Sequence, residues 1–192
     1  AWYRAGEEGK AARLLRQHFW DLLISEDPAL PPLFWQIAYP FPFGDRGQSL
    51  SLPPHLDPRL VAAIISAESL WEPDIRSPAG AIGLMQIMPR TGKRLAQELG
   101  IDFPSADVLY DPHINLSIGV YYLRQLLTRF HNRIVPAIAS YNAGEWRVAK
   151  WWERWHGLEE DEFITNIPFW ETRRYVQKVL AYYQIYQRLY PL

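Results

Sequence analysis

Apolar residues recur at three- and four-residue steps along most of this chain, a spacing that predicts helices. Over residues 1–24, Ala5, Ala12, Leu15, Phe19 and Leu22 or Leu23 share one face. A shorter helix starts near Pro31-Pro32 and takes in Leu33, Phe34 and Ile37. Residues 39–56, from Tyr39 through Gly44 and Gly47 to Pro53-Pro54-His55, are rich in Pro and Gly and read as an extended connector. Beyond it the pattern is helical: 57–70, a short piece at 84–88, 90–99 ended by Gly100, 111–130, 133–143, 145–155, a segment near 160–165, and 168–189. Leu116, Val120, Leu123, Leu127 and Phe130 line one face, and in the last helix Val176, Leu180, Tyr183 and Tyr190 do the same. Pro136 falls in an early turn, where a missing N–H costs little. No period-2 run is long enough for a sheet, although a small β element fits near 75–83. The expected class is all-α, helix packed on helix.

Within that pattern one polar residue stands out. Asp57 can cap a helix and Pro58 suits its first position. Val61, Ile64, Ile65 and Glu68 then fall on one face, at offsets of three, four and seven. A carboxyl on an apolar face is costly unless paired or protonated. Burial favours the neutral acid, which is the state a general acid needs near neutral pH. From this segment alone the plainer reading is a buried Glu held by one Arg or Tyr, or a helix face that is wet at its last turn.

The following segments add to it. Pro73 ends the helix, and Ser77-Pro78-Ala79-Gly80-Ala81-Ile82-Gly83 is a small-residue loop leading into Leu84-Met85-Gln86-Ile87-Met88-Pro89. Glycines there let backbone approach packed protein or a ligand. Farther on, Ser140-Tyr141-Asn142-Ala143-Gly144 closes another helix, with Asn142 and Gly144 suited to a C-terminal cap.

Taken in order, these segments resemble the catalytic domain of the soluble lytic transglycosylase family, whose fold is related to goose-type lysozyme. The residues that carry the resemblance are Glu68-Ser69, Ser77-Pro78 through Gly80, Gly83 to Pro89, Asp111-Pro112 with Asn115 and Gly119, Tyr141 to Gly144, and Ile167-Pro168-Phe169 with Glu171-Thr172-Arg173. The resemblance runs from about residue 53 to residue 190. The family usually has Ala before the Tyr-Asn pair, and this chain has Ser140. Residues 53–192 are therefore expected to be the catalytic domain. Residues 1–52 are expected to be N-terminal helices and a Pro-rich connector. Residues 1–38 resemble the last piece of the helical array that often precedes this domain in the family, or else are an intrinsic part of one domain, and no internal repeat decides between the two.

Composition narrows the function classes. The formal charge is −1, so no bulk field draws nucleic acid or an anionic membrane. There is no Cys, hence no disulfide framework and no thiolate chemistry. No apolar run of about eighteen residues is present to span a membrane. The start at Ala1-Trp2-Tyr3 carries no signal peptide and reads as a processed or truncated chain. Nine Trp and eleven Tyr suit carbohydrate recognition and a large helical core alike. The five His are scattered without ligand spacing, so no metal site or cofactor is read. Nothing fixes an oligomeric state.

Glycosidases usually use two carboxyls. Glu72 and Asp74 follow Glu68, but both read as ordinary surface carboxylates. The resemblance implies the substrate-assisted route instead, on peptidoglycan glycan strands in a bacterial periplasm or cell envelope. Glu68 would be the acid and then the base. Ser77, Gln86, Met88, Tyr141 and Glu171 would bind the substrate. Core filler and helix-terminal charge remain the plainer readings of Met88 and Glu171. The alternatives in function are a hydrolytic lysozyme-like muramidase, a non-catalytic peptidoglycan-binding module, and a helical scaffold.

Overall fold

The structure, a computed structural model, describes residues 7–25, 29–43, 52 and 56–191. The described residues form ten α-helices and one 3-10 helix: α1 Glu8–His18, α2 Trp20–Ser25, α3 Pro32–Ala38, α4 Pro58–Glu68, α5 Pro89–Leu99, the 3-10 helix Ala106–Tyr110, α6 Pro112–Arg129, α7 Ile134–Ala143, α8 Glu145–Trp155, α9 Glu160–Asn166 and α10 Trp170–Leu189. The all-α expectation holds. Among the described residues, no helix is long and apolar enough to cross a membrane.

The centre of the fold is α4. Asp57 caps it, accepting the Arg59 N–H at 2.8 Å, and Pro58 occupies its first turn. The same carboxylate pairs with the Arg59 guanidinium and accepts the Tyr183 hydroxyl at 2.7 Å, which ties the helix start to α10. Every residue from Leu60 to Ser66 is buried, so α4 is apolar all round rather than amphipathic. α10 runs along it, and α7 packs between α6, α8 and α10. α6 repeats the capping device, with Asp111 accepting the N–H groups of His113 and Ile114.

Several expectations need correction. The first helical stretch breaks at Phe19, which is 50% exposed, and the inward residues are Ala11, Ala12 and Leu23. Ala5 and most of the connector lie outside the described residues. In α10 the buried face is Thr172, Val176, Val179 and Tyr186, while Leu180, Tyr183 and Tyr190 are half-buried. Residues 84–88 are a turn, not a helix: Ile82 pairs antiparallel with both Arg76 and Ile87 as isolated bridges. Those bridges are the whole of the small β element expected near 75–83. Ser140 is fully buried and its hydroxyl has no partner, a cost that Ala at this position would not carry.

Candidate active site

Glu68 is the last residue of α4 and is half-buried. The Tyr175 hydroxyl, from α10, donates to its Oε1 at 2.6 Å. Burial pushes the Glu68 carboxyl up to about 7, opposed by the Tyr175 hydrogen bond and by the Lys178 charge. Lys178 itself donates to the Ala67 carbonyl at 2.7 Å. Burial outweighs both stabilising contacts, so the carboxyl holds its proton at near-neutral pH and can release it there. That poise suits a group that must give and then take a proton.

The loop at residues 82–88 is fixed by one amide. Asn115 of α6 is fully buried; its Nδ2 donates to the carbonyls of Ile82 and Leu109, both at 2.8 Å. Its Oδ1 accepts the Met85 N–H at 2.8 Å. Gly83, at φ 80°, lies so close that a Cβ would sit 2.3 Å from Asn115 Nδ2. Gly119 is required in the same way, since its Cβ would lie 2.4 Å from Met85 Sδ. The two glycines and the Asn of the sequence pattern are thus one packing unit that shapes the loop. Met85 fills the gap, while Met88 is 44% exposed.

The Tyr141 hydroxyl donates to the Met85 carbonyl at 3.0 Å. It makes no hydrogen bond to Glu68, whose Oε1 receives the Tyr175 hydroxyl instead. Burial holds the Tyr141 phenol well above its ordinary range, and the Glu68 charge adds to that shift. Tyr141 also packs its ring on Tyr122, 5.4 Å between centroids. Tyr175 is held high by burial first and by Glu68 next. Glu68, Tyr141 and Tyr175 therefore form one electrostatic cluster.

The other candidate residues take simpler places. Ser77 Oγ accepts the Ala81 N–H at 3.0 Å and so closes its own loop. Gln86, at φ 48°, donates Nε2 to the Gly83 carbonyl at 2.9 Å. Glu171 is exposed in the first turn of α10, beside Thr172, whose hydroxyl donates to Asn142 Oδ1 at 2.8 Å. None of Ser77, Gln86, Met88 or Glu171 hydrogen-bonds Glu68. Glu72, expected at the open surface, is instead paired with Arg13 of α1 and only 15% exposed. It offers no second carboxyl for the chemistry. Tyr175 was missed in the sequence; the one available signal was its place beside the inward-facing Val176.

The transglycosylase SLT domain family matches residues 48–164, more than half of the chain. The chain belongs to this family. The soluble lytic transglycosylase helical domain matches residues 166–191, which are mostly α10. The chain is 35% identical over 187 residues to the soluble lytic murein transglycosylase of Salmonella typhimurium, covering 94% of this chain and 29% of that protein. It is 42% identical over 128 residues to a putative soluble lytic murein transglycosylase of Haemophilus influenzae, covering 66% of this chain and 22% of that protein. The crystal structure of the 70 kDa soluble lytic transglycosylase of Escherichia coli superposes with a TM-score of 0.72 at 34% identity, covering 95% of this chain and 30% of that one. An inactive glutamate-to-glutamine mutant of the Pseudomonas aeruginosa lytic transglycosylase superposes with a TM-score of 0.69 at 33% identity, covering 97% of this chain and 32% of that one. This SLT domain spans less than a third of the length of these relatives.

Proposed function

We propose that this chain is the catalytic part of a peptidoglycan lytic transglycosylase, with Glu68 as its single acid–base. The observation that carries the reading is the Glu68 carboxyl, buried at the end of α4 and poised at about 7, in a chain of this family. Protonated Glu68 gives its proton to the oxygen bridging N-acetylmuramic acid and N-acetylglucosamine, and the β-1,4 bond breaks. The acetamido oxygen of the muramoyl residue attacks C1 in place of a second carboxylate. Glu68, now ionised, takes the proton of the muramoyl C6 hydroxyl, whose oxygen closes on C1 and displaces the acetamido group. The products are a free 4-hydroxyl end and a 1,6-anhydromuramoyl end, and no water is consumed.

The supporting roles are those that membership of the family implies. Tyr141 holds the reacting sugar next to Glu68, Ser77 helps to bind or orient that sugar, Gln86 and Met88 line the cleft, and Glu171 accepts from substrate hydroxyl or amide groups. Residues 1–52 are the appendage and 53–192 the catalytic domain, and the enzyme works in the bacterial periplasm or cell envelope. Mass spectrometry of muropeptides released from sacculi tests the reaction. Anhydro products support it. Products heavier by one water would make the chain a hydrolytic muramidase, and no release would leave a binding module.

Two substitutions probe the tyrosines. Tyr141→Phe is expected to lower turnover at least about tenfold, because the hydroxyl acts mainly in the transition state. Its stability loss should be only about 1 kcal/mol, from the bond to the Met85 carbonyl. Unchanged turnover with that stability loss would make Tyr141 a packing residue. Tyr175→Phe removes a bond that favours ionised Glu68. The alkaline limb of the pH–rate profile should then move up by about one unit, each unit being about 1.4 kcal/mol. A limb that stays put or moves down would disconnect Tyr175 from the titrating group.

A further inference from the structure

The chain turns sharply just past Glu68. Leu70 and Trp71, two successive bulky residues, both lie in the left-handed region, at φ 52° and 67°. Residues of this kind keep that conformation only where their surroundings fix them. From the domain side, Ser69 Oγ accepts the Trp71 N–H at 3.1 Å. The Trp71 indole N–H reaches Ser66 Oγ at 3.1 Å and Tyr186 Oη at 3.0 Å.

The other side of the turn is covered by α1, well outside the stretch that carries the family pattern. A Cβ on Gly9 would lie 2.4 Å from the Trp71 carbonyl oxygen and 2.9 Å from Glu72 Cγ. Gly9 sits within α1 without a positive φ, so only this close approach asks for a residue lacking a Cβ. One helical turn on, Arg13 Nε meets Glu72 Oε1 at 2.5 Å. Gly9 and Arg13 are four apart and share a face, so one side of α1 holds both the backbone and the side chain of the turn.

We propose that Gly9 and Arg13 are positioning residues for Glu68: α1 clamps the turn that ends the catalytic helix and thereby sets the direction of the Glu68 carboxyl. The proposal rests on Glu68 being the acid–base. Its force comes from scale. Ordinary contact begins near 3.4 Å, so a methyl at Gly9 displaces the Trp71 carbonyl or α1 by about an ångström. Misplacing a reacting group by about 1 Å can cost about a hundredfold in rate. Arg13 is 42% exposed but Glu72 only 15%, so as a merely structural contact the pair would lower Tm on its loss and leave the kcat of the folded protein alone. A loss of turnover on its removal is therefore not expected from a merely structural role.

The test compares Gly9→Ala, Arg13→Ala, Arg13→Lys and Lys10→Ala, reading kcat and KM on sacculi together with Tm. Lys10 is the control, on the same helix and paired with exposed Glu7. Gly9→Ala should lower kcat about ten- to a hundredfold and Arg13→Ala several-fold, with KM within about twofold of wild type. Arg13→Lys should restore most of the turnover, and Lys10→Ala should match wild type. If Gly9→Ala does not fold, the Arg13 pair of variants decides. Turnover within twofold of wild type in Arg13→Ala and in any folded Gly9→Ala, or a rise in KM alone, overturns the clamp. Those results beside an inactive Glu68→Gln remove this inference only. Surviving turnover in Glu68→Gln removes the acid–base reading and the clamp with it.

Discussion

Glu68→Gln is expected to lose about two to four decades of sacculus cleavage, the usual size of a general acid–base contribution. In the proposed mechanism one residue serves both proton transfers, so the upper end of that range is expected. The amide keeps the shape and can still accept the Tyr175 hydroxyl, so the fold should survive. Stability gives an independent readout. In the folded chain burial raises this carboxyl from 4.5 to about 7. The unfolded chain ionises near the ordinary value, so between these two pH values it has lost a proton that the folded chain still holds. Wild-type stability attributable to Glu68 is therefore complete below about pH 4.5 and lost as pH rises through about 7, a total on the order of 3 kcal/mol. Glutamine does not titrate. The variant should gain on wild type between pH 5 and 8 in urea denaturation and stay level above that. Turnover within tenfold of wild type would move the chemistry elsewhere. A stability difference independent of pH would mean that the carboxyl is not desolvated.

Much of this was legible because it is local. Asp57-Pro58 and Asp111-Pro112 announce helix starts, and both carboxylates cap as their positions require. The apolar spacing around Glu68 placed a carboxyl against the core, and its raised pKa follows from that placement. What failed was decided by distant parts of the chain. Leu84-Met85-Gln86-Ile87-Met88 has helical composition, but Asn115 takes the Met85 N–H and the Ile82 carbonyl, and the segment turns instead. Glu72 was expected in solvent because its partner, Arg13, comes from a helix far earlier in sequence. Tyr175 was passed over for the same reason, since its bond to Glu68 joins α10 to α4. Tyr141 feels the Glu68 charge, yet its hydroxyl is committed to a backbone carbonyl that only the folded loop supplies.

Asn115→Asp should be among the most destabilising single-atom changes in this chain, although it alters almost no volume. The amide nitrogen donates to two carbonyls and its oxygen accepts one N–H, all at 2.8 Å in a fully buried site. A carboxylate keeps the acceptor and loses both donors, so the Ile82 and Leu109 carbonyls would face a negative oxygen at hydrogen-bond distance. Each unsatisfied buried group costs about 1–3 kcal/mol, and an unpaired buried charge costs more. The expected loss is about 4 kcal/mol or more at pH 7, a large part of the roughly 5–15 kcal/mol that holds a domain together. The pH dependence identifies the cause. Burial raises the introduced carboxyl above its unfolded value near 3.9, so the folded variant is favoured in the protonated form. A neutral acid donates one hydrogen bond, so the defect should shrink on acidification and grow as pH rises. Urea denaturation of both proteins at pH 4 and pH 7 reads this directly. The loop that Asn115 holds also carries the Met85 carbonyl that receives Tyr141, so residual turnover should fall with it. A loss below about 1 kcal/mol at pH 7, or one that ignores pH, would mean that the Gly83–Pro89 loop keeps its shape without this amide.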